Sequence, residues 1–205
     1  MPLTLIVEHF DDISDWSEIE YNHLAYHCKQ YDVQLMITNY PNMILNANCT
    51  SESITTLQSQ FDVLYLADLD GPSSLDTESF HTTLKCGIVI GGMLGDDPPV
   101  DREQTLRAIP GIKCRSMTRL HLPTDVAGIS ALKIAKESLS IVQLEEQLVF
   151  PTEFSISKLE QHSLPFAYFK SSSFKYLLLN SELVTTINKE TVVFGKGLKQ
   201  VIRNG

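Results

Sequence analysis

Nine residues near the middle of the chain, Gly91-Gly92-Met93-Leu94-Gly95-Asp96-Asp97-Pro98-Pro99, join three glycines to two adjacent acids and a double proline. Glycine permits positive φ and lets a ligand touch the main chain. Pro98-Pro99 stiffens the exit, because proline fixes φ and restricts the residue before it. Neither common phosphate motif fits. A dinucleotide fingerprint needs G-x-G-x-x-G opening a helix, and a P-loop needs Gly-Lys-Ser/Thr. Asp96 and Asp97 would repel phosphate, so the segment suits a cationic or neutral ligand. S-adenosylmethionine (SAM) has that character, with a sulfonium, an ammonium and an adenine that backbone groups can hydrogen-bond. The competing reading is a tight turn between a strand and a helix.

A loop of this kind has to be presented by a sheet. Gly87–Ile90 is a continuous apolar run, and Leu3–Val7, Val33–Thr38, Val63–Ala67 and Ile112–Arg115 are further predicted strands. Strands apolar on both faces are typical of a parallel sheet covered by helices. Asp15 and Glu18 have capping-box spacing with an Asp cap, and Tyr21, Leu24, Cys28 and Tyr31 recur at helical spacing. Together they predict a helix over about residues 16–31. Asn39, Pro41, Asn42 and Asn46 mark a loop. Shorter helices are predicted over Ser53–Gln60 and Asp101–Ile109, the second stopped by Pro110-Gly111. Thr124 caps a helix that stays apolar on most sides through Ala135. Its small residues Ala127, Gly128, Ser130 and Ala131 allow close approach, to a partner or to the chain itself.

The alternation predicts an α/β fold, a mostly parallel sheet with helices on both faces. Past Phe150 the pattern changes. Pro151, serines at Ser171–Ser173 and short apolar runs (Tyr176–Leu179, Val192–Phe194) predict a small β-rich appendage, giving units 1–149 and 150–205. Ligands of open α/β sheets bind beyond the carboxyl ends of the strands. Three loops leave such ends here: Asp68–Pro72, Gly91–Pro99 and Ser116–Thr124.

The bulk numbers narrow the partners. A chain of 205 residues with 43% hydrophobic content builds one sizeable core. No apolar run is long enough to span a membrane. Met1–Glu8 has no basic start and no cleavage site, so it reads as a strand rather than a signal peptide. Cys28, Cys49, Cys86 and Cys114 form no C-x-x-C pair, which points to reduced thiols in a cytoplasmic protein and to no metal site. The net charge of −9 repels phosphate backbones and attracts basic partners.

The segment Ile90 to Pro99, with Asp101-Arg102 after it, resembles the signature of one branch of the SPOUT methyltransferase superfamily. That branch was first described as RNA methyltransferases and includes fungal protein arginine methyltransferases of a small-subunit ribosomal protein. Val7-Glu8-His9, Ser14-Asp15-Trp16 and Glu20-Tyr21 resemble the family's first strand and helix. Met117 and Leu122-Pro123-Thr124-Asp125-Val126-Ala127 resemble its cofactor loop and last knot helix. Phe150-Pro151-Thr152-Glu153-Phe154 and Leu164-Pro165-Phe166 resemble its tail.

The resemblance implies a C-terminal trefoil knot, which periodicity could not reveal because threaded chains are nearly absent from ordinary folds. It also implies SAM held mainly by backbone, at Leu66, Asp68, Gly92, Leu94, Gly95, Asp96, Met117, Leu120, Leu122 and Thr124. The implied substrate is an arginine of a basic protein, with a small-subunit ribosomal protein the expected partner and a monomer favoured over a homodimer. Such a guanidinium is protonated and a poor nucleophile. A carboxylate has to orient it and accept a proton, for which Glu8, Asp96 and Asp97 are candidates. Trp16 could flank the inserted side chain by cation–π contact, worth about 0.5–2 kcal/mol. Each also has a plain reading: Glu8 as a strand end, Trp16 as a packing residue, Asp97 as a turn residue. Asp101 and Arg102 read as a helix-start carboxylate and a surface arginine, and Glu145-Glu146 as a solvated helix face. Two alternatives stay open. One is an RNA methyltransferase of the same fold using Lys196, Lys199 and Arg203. The other is a non-catalytic cofactor-binding protein.

Overall fold

The computed structural model describes residues 3–80, 83–92, 101–150, 152–157, 160–164, 166–170, 182–187 and 190–195. Its first strand, β1 (Thr4–His9), leads into α1 (Asp15–Gln30), β2 (Gln34–Thr38) and a two-residue strand, β3 (Asn48–Cys49). Then come α2 (Ile54–Leu57), a 3₁₀ turn at Gln58–Gln60, β4 (Val63–Ala67) and β5 (Cys86–Gly92). After these follow α3 (Gln104–Arg107), β6 (Lys113–Arg115), α4 (Thr124–Glu137), α5 (Ile141–Glu145) and β7 (Leu148–Val149). The six strands β3-β2-β1-β5-β4-β6 form one sheet in that order, with every pairing parallel.

The apolar runs follow from burial on both faces. Leu5, Val7, Ile88 and Ile90 belong to the core that also contains Leu24, Val126 and Ile129, from α1 and α4. Ile6, Leu64, Leu66 and Val89 belong to a second core with Ile54, Leu106 and Ile109, from α2 and α3 and their ends. Alternate residues of one strand point to opposite faces, so a strand with helices on both sides has no polar face to show. The predicted α/β fold with helices on both faces is what the structure has.

Several local expectations change. Helix α1 is capped by Ser14, not Asp15: its side chain accepts from Ser17 N at 3.2 Å, and Ser17 completes the capping box. Asp15 and Glu18 instead lie in the first turn, where carboxylates suit the positive end of the helix dipole. Thr124 is the first residue of α4 rather than its cap, and Pro123 precedes it. The helix predicted at 53–60 divides into α2 and the 3₁₀ turn, and the one at 101–109 is confined to Gln104–Arg107. Gly91 and Gly92 are not loop glycines. They end β5 opposite Glu8 and His9 of β1, and neither has positive φ.

The small residues of α4 are used inside the chain. A Cβ on Gly128 would meet Leu24 Cδ1 of α1 at 2.5 Å and Leu5 Cδ2 of β1 at 3.1 Å. Close helix contact over the sheet therefore depends on that glycine. Beyond residue 150, β8 (Thr152–Ser157) pairs with β9 (Glu160–Leu164), and β11 (Glu182–Ile187) with β12 (Glu190–Gly195), all antiparallel. Between them β10 (Tyr168–Phe169) pairs with β7, and Ala167, Tyr168 and Phe169 are buried in the core that holds α1 and α4. No helix among the described residues is long and apolar enough to cross a membrane.

Candidate active site

The carboxyl ends of β1 and β5 lie side by side, with Glu8 opposite Gly91 and His9 opposite Gly92. Tyr21 of α1 leans over this edge. Its hydroxyl is 2.7 Å from His9 Nδ1, and a Cβ on Gly92 would come within 2.5 Å of it and 2.6 Å of Val7 Cγ1. His9, Tyr21 and Tyr40 meet edge to face with centroids 5.1–5.8 Å apart. Burial holds the His9 imidazole below its ordinary pKa, against the pull of Glu8 and Asp12. His9 is only 3% exposed, and its Nε2 is buried with no hydrogen-bond partner. A buried polar atom without a partner costs stability unless something meets it.

A small cleft opens here, lined by His9, Asp11, Ser17, Glu20, Tyr21, Gly92 and Thr124. Glu20 is 4% exposed and accepts the Trp16 indole N–H at 2.8 Å. Burial, and then the Asp125 carboxylate, pushes the Glu20 carboxyl up to about 8, opposed by hydrogen bonds from Trp16 and Thr124 and by His23. Behind it runs a buried polar chain between α1 and α4. Asp125 Oδ2 lies 2.6 Å from His23 Nδ1, and His23 Nε2 lies 3.1 Å from His27 Nε2.

The other two loops meet on the far side of β5. Asp68 N donates to Arg115 O, Gly71 N to Asp68 O, and Ser116 N to Ser73 O. A Cβ on Gly71 would strike the Arg115 carbonyl carbon and Ser116 N at 2.5 Å, so the turn after β4 is pressed onto the end of β6. Arg107 clamps this turn with two bonds to Asp68, at 2.6 and 3.0 Å, and two to Asp101, both 2.7 Å. The Arg107 hydrogen bond holds the Asp68 carboxyl below its usual range, outweighing burial. Glu103 goes the other way, pushed up to about 7 by burial and by Asp68. Among the described residues, the Asp68 and Asp101 carboxylates and a partly protonated Glu103 more than offset the Arg107 guanidinium, so this corner favours a cation over a phosphate.

The depressed Asp68 pKa makes a pH prediction. A carboxyl whose folded pKa lies below its unfolded value, about 3.9, stabilises the fold above that value and ceases to as pH falls through the folded pKa. Wild type is therefore expected to be more stable than Asp68→Asn at pH 7, with the gap closing below about pH 4. Urea melts at several pH values would measure it. A gap that is constant down to acid pH would show that the clamp is not electrostatic.

The remaining expected residues fall as follows. Glu8 is 4% exposed, and its Oε2 accepts from Thr38 Oγ1 at 2.5 Å and from Ile54 N at 2.9 Å. It thus ties the end of β2 to the start of α2. Trp16 is half-buried against the core with its indole N–H on Glu20. The Leu66 side chain lies in the second core and Met117 in the first, so either could meet a ligand only through its backbone. Leu120 and Leu122 are partly buried against the first core, and Thr124 lines the cleft. Leu94, Gly95, Asp96 and Asp97 lie outside the described residues, as do Lys196, Lys199 and Arg203.

Sequence reasoning missed four residues of this region. Glu145 is not a solvated helix side chain: it accepts from Thr118 Oγ1 and Arg119 N, pinning the loop after β6. Arg102 is not a bare surface arginine but pairs with the cleft residue Asp11. Asp11 gives no motif, and Glu20 entered only through the Glu20-Tyr21 resemblance, with no role attached to it. Only the i,i+4 spacing of Trp16 and Glu20 on one helix face hinted at their bond.

The sequence pattern of a family described as "Protein arginine N-methyltransferase SFM1-like" matches residues 4–193. No curated protein matches the chain at a significant level. Among solved structures, the yeast arginine methyltransferase SFM1 complexed with SAM superposes with a TM-score of 0.71 at 23% identity, over 87% of each chain. The same yeast protein complexed with SAH gives 0.73 at 21% identity, over 97% of this chain and 94% of the other. A dual-specific Trm10 from Thermococcus kodakaraensis gives 0.53 at 12% identity, over 70% of this chain and 97% of the other. At these identities the superpositions establish a shared fold. With nearly the whole chain matched by the family pattern and a carboxyl-edge cleft of acids beside Gly92, this protein belongs to the SFM1-like protein arginine N-methyltransferase family.

Proposed function

We propose that this protein transfers a methyl group from SAM to an arginine of a basic protein, a small-subunit ribosomal protein being the favoured class. The observation that carries this reading is the cleft, which sets Asp11 and Glu20 beside the end of β5. Family membership and the yeast enzyme's complexes with SAM and SAH support it. The residues fit the cofactor. The acid excess around Asp68 suits a sulfonium and an ammonium, and the loops after β4 and β6 touch through backbone, with Gly92 at the end of β5, the neighbour of β4 on its other side. Backbone at Leu66–Asp68, Gly92 and Met117–Thr124 would hold it, with Leu94, Gly95 and Asp96 expected to complete the site. When bound, SAM supplies the electrophilic methyl group. The trefoil knot implied by the SPOUT resemblance belongs to the same reading. So does a cytoplasmic location, which four free cysteines fit.

The chain's own residues do the positioning, an effect worth up to about 7–11 kcal/mol of the barrier. The substrate guanidinium would be met at the cleft by the Glu20 carboxyl, which the Trp16 indole N–H fixes in place. The test is transfer of radiolabelled methyl from SAM to ribosomal protein and to ribosomal RNA. Label is expected in protein, stable to nuclease and recovered as methylarginine after hydrolysis. Label lost on nuclease treatment would establish the RNA reading instead, and binding of SAM with no transfer to either would establish a non-catalytic protein.

A further inference from the structure

Two carboxylates on the first strand and first helix could act as the base, and their surroundings separate them. Glu8 has an oxygen committed to Thr38 and Ile54, holding two elements of the sheet edge together. Glu20 lines the cleft itself, with its carboxylate aimed by the Trp16 indole. His9 also lines this cleft, and among the described residues its buried Nε2 has no hydrogen-bond partner.

We propose that Glu20 is the catalytic carboxylate: it receives the guanidinium of the incoming arginine and takes the proton released on methylation, with Asp125 and His23 positioned behind it to set its charge. This rests on the arginine methyltransferase reading and assigns the base within that site. The groups around Glu20 are Trp16, Tyr21 and His23 on α1, Thr124 and Asp125 on α4 and Tyr168 on β10, and His9 and the Asp11 carboxylate paired with Arg102 also belong to the cleft. Burial and Asp125 favour the neutral acid in the free protein. An inserted guanidinium reverses that preference, since an opposite charge within contact lowers a carboxyl pKa by about 1–3 units. Arrival of the cationic substrate thus drives the Glu20 proton to solvent and leaves the carboxylate that serves as base.

The step balances. An arginine Nη forms the N–CH₃ bond as the S–CH₃ bond breaks and leaves its electron pair on sulfur. The proton on that Nη passes to the Glu20 carboxylate. The methylated guanidinium keeps its single positive charge, and Glu20 ends as the neutral acid it was before substrate arrived.

The experiment has a binding arm and a kinetic arm, both on the full chain. In the first, the Glu20 carboxyl is titrated by carbon-13 NMR with guanidinium chloride at non-denaturing concentration, and with tetramethylammonium chloride at equal ionic strength. The expected result is an apparent pKa lowered by about one unit or more in guanidinium only. Equal curves in the two salts would overturn the site. In the second, Glu20→Gln keeps the shape and an acceptor for Trp16, and is expected to lower kcat for methyl transfer at least about a hundredfold with KM changed only a few-fold. Activity within a few-fold of wild type would overturn the role. Should that variant fold poorly, Trp16→Phe removes only the indole donor. Losing a bond that lowers the Glu20 pKa should move the acid limb of the pH–rate profile to higher pH, and an unmoved limb would count against Glu20 as the base. A wild-type chain that methylates no protein yet shows the guanidinium-specific titration would refute the functional reading while leaving the guanidinium site standing.

Discussion

Gly92→Ala is expected to destabilise the fold by about 1–3 kcal/mol and to abolish measurable SAM binding. The added methyl would stand 2.5 Å from the Tyr21 hydroxyl and 2.6 Å from Val7 Cγ1, with the Glu8 carbonyl oxygen at 3.1 Å. Tyr21 cannot simply swing away, because it is 1% exposed and its hydroxyl is bonded to His9. Val7 is fully buried in the sheet. The strain must be relieved by parting β5 from α1, and that separation opens the cleft and displaces the end of β5. For a chain of this size the thermal midpoint should fall by roughly 2–4 °C per kcal/mol. Scanning calorimetry and a SAM titration would measure both effects. An alanine variant that melts and binds like wild type would show that the β5–α1 contact gives more easily than its packing implies.

Asp125→Ala carries the largest expected loss of stability, about 3–5 kcal/mol. Asp125 is 1% exposed, its Oδ2 is 2.6 Å from His23 Nδ1, and its Oδ1 accepts from Val126 N at 2.8 Å. Alanine removes the carboxylate that meets Nδ1 of the 2%-exposed His23 imidazole across the α1–α4 contact. Asp125→Asn keeps an acceptor oxygen and should cost much less. Both variants remove the carboxylate that helps push Glu20 up to about 8, so the Glu20 pKa should fall toward its ordinary value. Denaturant melts give the first quantity and NMR titration the second. A folded Asn variant whose Glu20 still titrates near 8 would show that burial alone sets it.

These outcomes bear on how far a sequence of this type can be read. The parallel sheet was legible because Leu3–Val7, Val63–Ala67 and Gly87–Ile90 must hide both faces, and continuous apolar runs have few other uses. Helix ends were less legible. Ser14 and Asp15 are both good caps, and the choice depended on which hydroxyl met Ser17, a matter of a single residue's dihedral angles. Gly92 was noticed for the wrong physical reason: it tolerates no side chain because Tyr21 crosses over it, not because its φ is positive.

From its residue types and their order, this chain determined an α/β sheet buried on both faces, three loops at the strand ends, and an acid–glycine segment unsuited to phosphate. Only the tertiary structure placed Glu20, and not Glu8, at the cleft. Glu8 and Glu20 are twelve residues apart and chemically alike. What separates them is that Ile54, forty-six positions from Glu8, donates its N–H there, while Trp16, Thr124 and Asp125 gather around Glu20. A carboxyl's charge is set by the dielectric and the dipoles that the fold brings to it, and contacts across such separations leave no mark in local sequence pattern.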